Sequence, residues 1–429
     1  MHHPTVTRAA KIFQDFFDPR QLQKVATDVG FSQRVRKITA GEFISSLVTT
    51  FGLGKVNTIA ELHQNYIQNS GMPINYKPFH DRLNQPGFPA LMCELAKQCF
   101  AKMRVPVLSA NESRIFKGLD DVIAHDGTSF GLRDGLKEVF PGRFSTHAPA
   151  AVELHVSMSL FTGNIKTVEI TPDKESERKY APIPESMKNK LVLMDRGYDS
   201  IPYLKTIDEE NGFFLCRIRK LQNPNVTFVS GDESVLLGAR ECTLSDVLRK
   251  LCSKNVYDLD VTYNTTSGPL QARLILSWSK KEKTWMRLIT NLPRSRAGKK
   301  QICQCYRLRW QIELLFKECK SFNSLNKFQT NSPYIAMGLM WAALISTFLK
   351  RMLGHICQLA LYGADISSQK VAKDKRLLIN LAKAISQGFN QVISCLENIV
   401  EHARKNWRHS RIERVMTTGK LALGVVLVA

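Results

Sequence analysis

The sequence of 429 residues predicts an α/β protein in which helical N-terminal and C-terminal regions flank a mixed sheet. Residues 152–160 alternate between apolar and polar side chains, which is typical of a strand with one buried face. Residues 191–194 are apolar without interruption, as in a central strand buried on both faces. Apolar residues recur at helical spacing before residue 115 and again after residue 320, which predicts the flanking helices.

The N-terminal region, residues 1–115, is predicted to be helical and to bind DNA. Thr58 and Glu61 have the spacing of a capping box, and Gly71 suits the end of the helix that they begin. Asn75 is then placed to cap a second helix. The two helices would form either a helix-turn-helix unit for a DNA groove or an ordinary packed pair, and the sequence leaves both open.

From residue 116 the pattern changes from helices to strands. Three strands, at 122–126, 152–160 and 165–171, form a meander, and helix and strand alternate from there to residue 218. This order is typical of a mixed α/β sheet. We therefore expect residues 116–218 to form the first part of a sheet domain.

A second group of strands follows as a β-rich insertion at residues 219–299. The predicted strands of the insertion lie at 225–229, 235–242, 257–263, 270–277 and 285–290. We expect residues 300–350 to complete the sheet domain. Residues 351–429 would form a helical C-terminal region available for dimerisation.

The charge balance indicates a polyanionic partner. Sixty Lys and Arg residues face 38 Asp and Glu residues, so the formal net charge is +22. Such an excess points to nucleic acid first and to an anionic membrane surface second. No segment contains the roughly 18–20 apolar residues in a row that span a bilayer, so we expect no membrane partner.

The ten cysteines indicate buried thiols and not a zinc site. None belongs to a C-x2-C pair, and Cys303 and Cys305 have no second pair nearby. Scattered cysteines among apolar residues are typical of proteins in a reducing cytosol. We therefore expect a cytoplasmic protein.

Three acidic residues stand out by their positions. Asp126 ends the first predicted strand, Asp195 follows the apolar central strand, and Glu313 lies on a predicted helix. Ligand sites lie at the carboxyl ends of strands in α/β sheets, and carboxylate oxygens suit Mg²⁺ or Mn²⁺. A carboxylate at a strand end also commonly caps a turn, and for Asp126 or for Asp195 taken alone that interpretation is the stronger one.

The helix that carries Glu313 has a polar face and an apolar face. Tyr306, Arg309, Glu313 and Lys320 project within an arc of about 60° if residues 306–321 form one helix. The opposite face is predicted to be buried and consists of Leu308, Ile312, Leu315, Cys319 and Phe322. Arg309 and Lys317 are also spaced for ordinary salt bridges with Glu313, so the helix taken alone favours an ordinary solvated surface helix.

Together these segments resemble the DDE transposases of bacterial insertion sequences, specifically the insertion-sequence-four group with its Tyr-Arg-Glu-Lys helix. His125-Asp-Gly-Thr128 resembles the first-aspartate strand of that family, and Met194-Asp-Arg-Gly-Tyr198 resembles the second. The strand at 285–293 also resembles the one that precedes the signature helix. The resemblance covers about residues 116–350. One departure is Gly127 directly after Asp126, which would loosen the strand locally.

The resemblance implies a ribonuclease H-like core with the β-rich insertion between the second aspartate and the glutamate. Asp126, Asp195 and Glu313 would be the catalytic residues and would bind Mg²⁺ or Mn²⁺. An enzyme of this family cuts transposon ends by water attack, commonly passes through a DNA hairpin, and joins the 3′ ends to target DNA. Its partners would be double-stranded DNA, both the terminal inverted repeats and the target, and a second copy of the chain. It would act in the bacterial cytoplasm at the nucleoid.

Further residues would contact DNA by the same resemblance. Tyr306, Arg309 and Lys320 would contact phosphates near the cleaved end. Trp285 would stack on a flipped base, although a half-buried strand tryptophan explains it equally well. Apart from the resemblance, the positive charge of the basic link before the signature helix predicts further DNA contacts at Arg294, Arg296, Lys299 and Lys300.

Two alternatives remain open from the sequence. One is a transposase-derived protein that binds DNA without cutting it. The other is a ribonuclease H-like nuclease or resolvase that cuts without strand transfer. The long insertion and the signature helix argue against the second alternative.

Overall fold

A single eleven-stranded mixed sheet organises the protein. The computed structural model describes residues 3–32, 38–54, 58–102, 108, 114–230, 242–322 and 329–408. Six helices precede the sheet: α1 (Pro4–Phe16), α2 (Pro19–Asp28), α3 (Ala40–Gly52), α4 (Ile59–Ser70), α5 (Tyr76–Leu83) and α6 (Gly87–Lys102). The predicted helical N-terminal region is therefore present in the described residues.

The first part of the sheet matches the predicted strand pattern. Its strands are β1 (Asp121–Gly131), β2 (Pro141–Phe144), β3 (Ala148–Ser159), β4 (Ile165–Pro172), β5 (Lys190–Met194) and β6 (Phe213–Arg217), with α7 (Ile201–Glu209) between the last two. Strand β2 was not predicted because a proline and a glycine in four residues favour a loop over a strand. It pairs with β3 at the sheet edge.

The insertion extends the same sheet. It contains β7 (Asn225–Ser230), β8 (Cys242–Thr243), α8 (Leu244–Leu248), β9 (Val256–Thr265), β10 (Gly268–Ser279) and β11 (Thr284–Thr290). Strand β11 pairs with β6, so the hydrogen-bonded order runs on through β11, β10, β9, β7 and β8. Most of the strand predicted at 235–242 lies outside the described residues.

Strand order and direction confirm the ribonuclease H-like core. Strands β4, β3 and β1 form an antiparallel meander, while β1, β5 and β6 are parallel neighbours. The core order is therefore β4-β3-β1-β5-β6. Parallel strands place their carboxyl ends at one edge of the sheet, and that edge is where α/β proteins bind ligands.

Six further helices follow the sheet in the described residues, and residues 409–429 of the predicted helical C-terminal region lie outside them. The six helices are α9 (Lys299–Arg307), α10 (Trp310–Phe322), α11 (Pro333–Ala360), α12 (Ser368–Lys373), α13 (Leu377–Gln387) and α14 (Phe389–Asn406). The domain boundary expected between residues 350 and 351 falls inside α11, which runs unbroken through it. A Cβ on Gly338 of α11 would lie 2.2 Å from the Phe88 ring, so α6 and α11 pack at a distance that only glycine permits.

The two sides of the sheet have different cores. On one side, buried apolar residues of the N-terminal helices, of α9 to α11 and of the C-terminal helices form one continuous cluster. On the other side, α7 and α8 cover the sheet with a second cluster. The N-terminal and C-terminal helices therefore share a core, because α11 packs against α3 and α6 as well as α12 and α14.

Helix α11 is long and apolar enough to span a membrane, although we expected no such segment from the sequence. Its most apolar window is 89% buried inside the protein. A buried core helix meets the same conditions, so the window is explained by packing.

The predicted helix pair in the N-terminal region is present as α4 and α5. Thr58 and Glu61 form the capping box, and Gly71 ends α4 at φ 67°. Asn75 precedes α5 without a capping hydrogen bond from its side chain. Arg82 donates to the Phe31 carbonyl at 3.1 Å, which is a structural role within the protein. The geometry is compatible with both interpretations of this pair.

Candidate active site

The two aspartates lie side by side at the carboxyl edge of the parallel strands. Ala124 of β1 pairs with Leu193 of β5, so two residues further along Asp126 comes level with Asp195. Val122 and Ala124 point into the core that contains α10, and alternation along a strand sends Asp126 to the same side. The fold therefore directs this carboxylate toward the helix that carries Glu313.

The signature segment is two helices and not the single helix that the spacing predicts. Helix α9 ends at Arg307 and α10 begins at Trp310. At the break, the Arg309 amide donates to the Tyr306 carbonyl at 3.2 Å and the Ile312 amide donates to the Arg309 carbonyl at 3.1 Å. These i to i+3 bonds tighten the chain at Arg309. The face predicted from one helix is therefore wrong in its geometry.

The predicted burial of the apolar side is confirmed. Leu308, Ile312, Leu315 and Cys319 are each at most 1% exposed. The side chain of Phe322 lies outside the part of the chain that is described. This buried side holds α10 against β1 and α11 and leaves its polar residues at the edge of the sheet.

Three polar residues of the signature segment contact the aspartate strands. The Tyr306 hydroxyl donates to Asp195 Oδ1 at 3.4 Å. Arg309 Nη1 donates to Asp126 Oδ2 at 2.5 Å, and Nη2 donates to Glu313 Oε1. The structure therefore brings all three acids into one polar cluster with Arg309 between two of them.

The fourth signature residue also reaches β1. Lys320 Nζ donates to Thr128 Oγ1 at 2.7 Å and to the Ser129 carbonyl at 2.6 Å. Burial lowers the pKa of this ammonium. Lys320 therefore fastens the end of α10 to the strand that carries Asp126.

Electrostatics within the cluster favour added positive charge. Burial raises the pKa of Asp126 to about 7; Arg309 opposes that rise, whereas Asp195 and Glu313 increase it. Burial also raises the pKa of the Tyr306 phenol, which keeps it a proton donor. The carboxylates repel one another in a partly buried site that contains Arg309 as their cation.

The donor set fits a hard divalent cation. Asp126, Asp195 and Glu313 offer only carboxylate oxygens, which Mg²⁺ and Mn²⁺ accept. In the described ranges no three His, Cys, Asp or Glu side chains are grouped closely enough to hold an ion. The Arg309 guanidinium lies between Asp126 and Glu313 and is paired with both. Two of the three carboxylates therefore already have a cationic partner within the protein.

Gly127, the departure noted in the sequence, does not interrupt β1. It pairs with His155 in register. A Cβ at this position would lie 2.8 Å from Glu153 Oε1 and 3.3 Å from His155 Nδ1. A side chain here would therefore push against Glu153, which belongs to a buried polar layer on the reverse side of the sheet. Arg143 Nη2 completes that layer by donating to Glu153 at 2.8 Å.

A second buried network holds the turn after Asp195, and sequence reasoning missed it. The Asp199 carboxylate is fully buried and accepts from Arg219 Nε at 2.9 Å and from Arg178 Nη2 at 3.1 Å. Tyr198 packs edge-on against His125, with ring centroids 4.6 Å apart. The signal in the sequence was a second aspartate four residues after Asp195.

Trp285 lies at the same edge of the sheet as the aspartates. It is the second residue of β11, which runs antiparallel to β6, and it is half-buried. Its ring packs edge-on against Trp278 at 5.3 Å and against Tyr257 at 5.9 Å. The position suits a base-stacking role and the packing suits a structural role. Trp310, which the sequence did not single out, is 52% exposed beside Arg309.

The basic link lies at the opposite edge of the sheet and is not brought to the acids. Arg294 forms ion pairs with Asp258 at 2.9 Å and Asp260 at 2.8 Å. Arg296 donates to the Ile115 carbonyl at 3.3 Å and lies over the Phe213 ring. Contacts within the protein thus engage both arginines. The remaining two residues of the link, Lys299 and Lys300, begin α9.

Comparison with known families agrees with this arrangement. Residues 117–349 match the family described as the transposase DDE domain, and this match spans more than half of the chain. This chain belongs to the DDE transposase family. Transposases of this family act on DNA and use divalent metal ions. The matched residues include Asp126, Asp195 and Glu313.

Curated relatives of this transposase include bacterial insertion-sequence proteins. It is 23% identical to the transposase for insertion sequence element IS1151 of Clostridium perfringens, with 79% of each chain covered. It is 22% identical to the transposase for IS231D of Bacillus thuringiensis subsp. finitimus, covering 77% of this chain and 76% of the relative. A local match of 42% identity to the putative transposase InsL of IS186A from Escherichia coli covers 14% of this chain and 17% of the relative.

A solved structure with a related outline is the piggyBac transposase synaptic complex with hairpin DNA. The match covers 96% of this transposase and 84% of that chain, with 10% sequence identity and a TM-score of 0.45.

Proposed function

We propose that this transposase cuts DNA at the ends of its own insertion element and joins the free 3′ ends to target DNA. The family supports the type of reaction, and the relatives named for insertion elements support the substrate. The net charge of +22 supports contact with a polyanion over a wide surface.

The observation that carries the proposal is the convergence of Asp126, Asp195 and Glu313 through the signature segment. Asp126 in β1 lies level with Asp195, which directly follows the neighbouring strand β5, and Arg309 links Asp126 to Glu313. We assign the three carboxylates as ligands of Mg²⁺ or Mn²⁺. Bound there, a divalent ion supplies Lewis-acid stabilisation to phosphodiester displacement.

The signature residues would position DNA around these carboxylates. Arg309 would transfer its N–H donors from Asp126 and Glu313 to a phosphate, since guanidinium binds phosphate in the same bidentate manner as carboxylate. Tyr306, held protonated by burial, orients Asp195 through its hydroxyl. Lys320 fixes β1 and adds positive charge next to Asp126.

The remaining DNA contacts belong to the same proposal. Exposed basic residues would follow the phosphate backbone, and α4 and α5 would contact the terminal repeat. A homodimer would hold the two ends of one element together, because each active site can process one end at a time. The protein would act in the bacterial cytoplasm at the nucleoid.

A cleavage assay tests the proposal. The substrate is a labelled duplex that contains the inverted repeat flanking this gene, incubated with the full chain and Mg²⁺ or Mn²⁺. We expect cleavage at the repeat end and joining of the labelled 3′ end to plasmid DNA. Asp195→Ala should abolish both while duplex binding remains, whereas Asp15→Ala on the exposed side of α1 should behave as wild type.

The other outcomes distinguish the alternatives. Binding without cleavage at either metal would indicate a transposase-derived DNA-binding protein. Cleavage without joining would indicate a nuclease or resolvase. Cleavage by Asp195→Ala at the wild-type rate would reject the assigned mechanism.

A further inference from the structure

The loop at residues 219–222, which follows β6, exposes an apolar side chain completely. Leu221 is 93% exposed, the largest exposed fraction among the exposed large hydrophobic residues of the described chain. A single exposed leucine is ordinary in a mobile loop, because it can fold back onto the surface. Leu221, however, lies in a loop that hydrogen bonds hold in place.

The loop is held rigidly on both sides of Leu221. Arg219 donates from its backbone N and from Nε to Asp199 Oδ2, both at 2.9 Å. Arg287 Nη1 donates to the Lys220 carbonyl at 2.7 Å and to the Gln222 carbonyl at 3.0 Å. The backbone around Leu221 is therefore fixed before any partner arrives. A partner would meet a leucine whose backbone is already ordered.

The position of the loop relates it to the active site. Cys216 of β6 pairs with Met194, the residue before Asp195, so the loop emerges beside Asp195 at the carboxyl edge. Lys320 contacts β1, which lies on the other side of β5 in the sheet. The loop that carries Leu221 therefore lies at the same edge of the sheet as the acids, two strands away from β1.

The surroundings of Leu221 are basic. Arg219 and Arg178 keep side-chain exposures of 50% and 43% although both contact Asp199. Arg196 and Lys220 are exposed at the same edge. Asp199 itself is buried, and nearby Glu282 is paired with Arg217 at 2.7 Å. The leucine is thus presented among cations, which is the environment of a phosphate backbone.

We propose that Leu221 is a DNA wedge, which inserts between base steps of the duplex that continues past the scissile phosphate into the donor DNA flanking the element. Apolar side chains that partly unstack a step bend the duplex and let it contact more protein. Arg178, Arg196 and Lys220 contact the phosphates on either side of the inserted leucine. The inference rests on the proposed function, since it requires DNA in the active site.

Two duplexes and two matched variants test the wedge. The first duplex joins the terminal repeat that flanks this gene to 15 base pairs of donor DNA, with 2-aminopurine at successive flank positions; the second ends at the cleavage point. We expect Leu221→Ala to weaken binding of the first duplex about 3- to 10-fold. Wild type should also change the fluorescence of 2-aminopurine at one flank position when it binds, and Leu221→Ala should not. Binding of the second duplex should be unchanged. Leu359→Ala, an equal truncation at a leucine 49% exposed on α11, should match wild type on both.

Every other outcome overturns the wedge. Equal losses on both duplexes would mean that Leu221 does not read the flank, and an effect confined to joining into plasmid would assign it to target DNA. Conversion of a wild-type dimer to monomer by Leu221→Ala in sedimentation would assign it to contact with a second copy. Failure of wild type to bind either duplex would reject the proposed function itself, whereas normal cleavage with no Leu221 effect would reject only the wedge.

Discussion

Arg309 Nη1 lies 2.5 Å from Asp126 Oδ2, so the turn that begins α10 is tied to the middle of β1 by an ion pair whose two side chains are 88% and 85% buried. The same guanidinium reaches Glu313. Two of the three acids therefore share one cation that belongs to the protein. A divalent ion and Arg309 compete for these oxygens unless a DNA phosphate attracts Arg309 away. Metal binding and DNA binding should then favour each other.

Removing the Arg309 side chain should increase metal affinity in the absence of DNA. Arg309→Ala leaves Asp126, Asp195 and Glu313 without their shared cation, and we expect Mn²⁺ to bind the free protein about tenfold more tightly. Mn²⁺ titration followed by electron paramagnetic resonance measures this directly. Arg307→Ala, an exposed arginine in the last turn of α9, is the matched control. Weaker Mn²⁺ binding by Arg309→Ala would show that Arg309 organises the site and does not compete for it.

A side chain at position 127 should destabilise the protein. Gly127→Ala would place a Cβ 2.8 Å from Glu153 Oε1, and displacement of β1 should lower the free energy of unfolding by about 1–3 kcal/mol. Because Asp126 moves with the strand, cleavage should fall by about 100-fold. Gly131→Ala in the same strand is the control, since its Cβ would come no closer than 3.9 Å to Ala150. Urea unfolding and the cleavage assay provide the two measurements, and equal behaviour of the two variants would contradict the prediction.

The sequence predicted most of the core because strand patterning is local. The apolar run at 191–194 and the alternation at 152–160 correspond to β5 and β3. Asp195 was placed correctly because it directly follows β5, whereas β1 continues past Asp126 to Gly131, so the prediction that the first strand ends at Asp126 is wrong. The continuous sheet from β6 into β11 was not predictable, since pairing between strands 70 residues apart leaves no local pattern.

The misplaced features have a common cause. The break between α9 and α10 contains no proline or glycine, so helical spacing gave no sign of the turn at Arg309. The basic link was expected to contact DNA from its charge alone. Arg294 instead pairs with Asp258 and Asp260 across the sheet. Both features depend on contacts between distant segments, which composition and spacing do not report.

Because of Lys350, the free energy of unfolding should change with pH in the alkaline range. Its side chain is buried in α11 and donates to the Gly52 carbonyl at 2.7 Å and to the Ala372 carbonyl at 2.9 Å. Burial lowers the pKa of Lys350 from 10.5 to about 8. Between these values the unfolded chain binds more protons than the folded protein, so the free energy of unfolding rises with pH in this window.

The expected rise is about 3 kcal/mol relative to Lys350→Met, which has no titrating group at this position. Urea unfolding at pH 8 and at pH 10.5, compared between wild type and variant, isolates this contribution. Lys383→Met, at an exposed position on α13, should follow wild type at both values. A constant difference between wild type and Lys350→Met would mean that Lys350 keeps the same proton affinity on folding.

The two tryptophans at the active-site edge should differ in what they stabilise. Trp285 packs against Trp278 and Tyr257, so Trp285→Ala should lower the free energy of unfolding by about 2 kcal/mol. Trp310 is 52% exposed, so Trp310→Ala should leave stability unchanged. An exposed indole beside Arg309 is available to stack on a base, and its loss should weaken binding of the cleaved-end duplex about tenfold.

Fluorescence anisotropy with the cleaved-end duplex, together with urea unfolding, separates these roles. Trp310→Phe retains an aromatic face and should restore most of the affinity, whereas Trp310→Leu should not. If Trp285→Ala loses DNA affinity without losing stability, base stacking belongs to Trp285 and its aromatic neighbours only orient it. If Trp310→Ala unfolds more readily, its side chain contributes to packing in spite of its exposure. The pair of variants thus decides between the two interpretations of Trp285 that the sequence left equal.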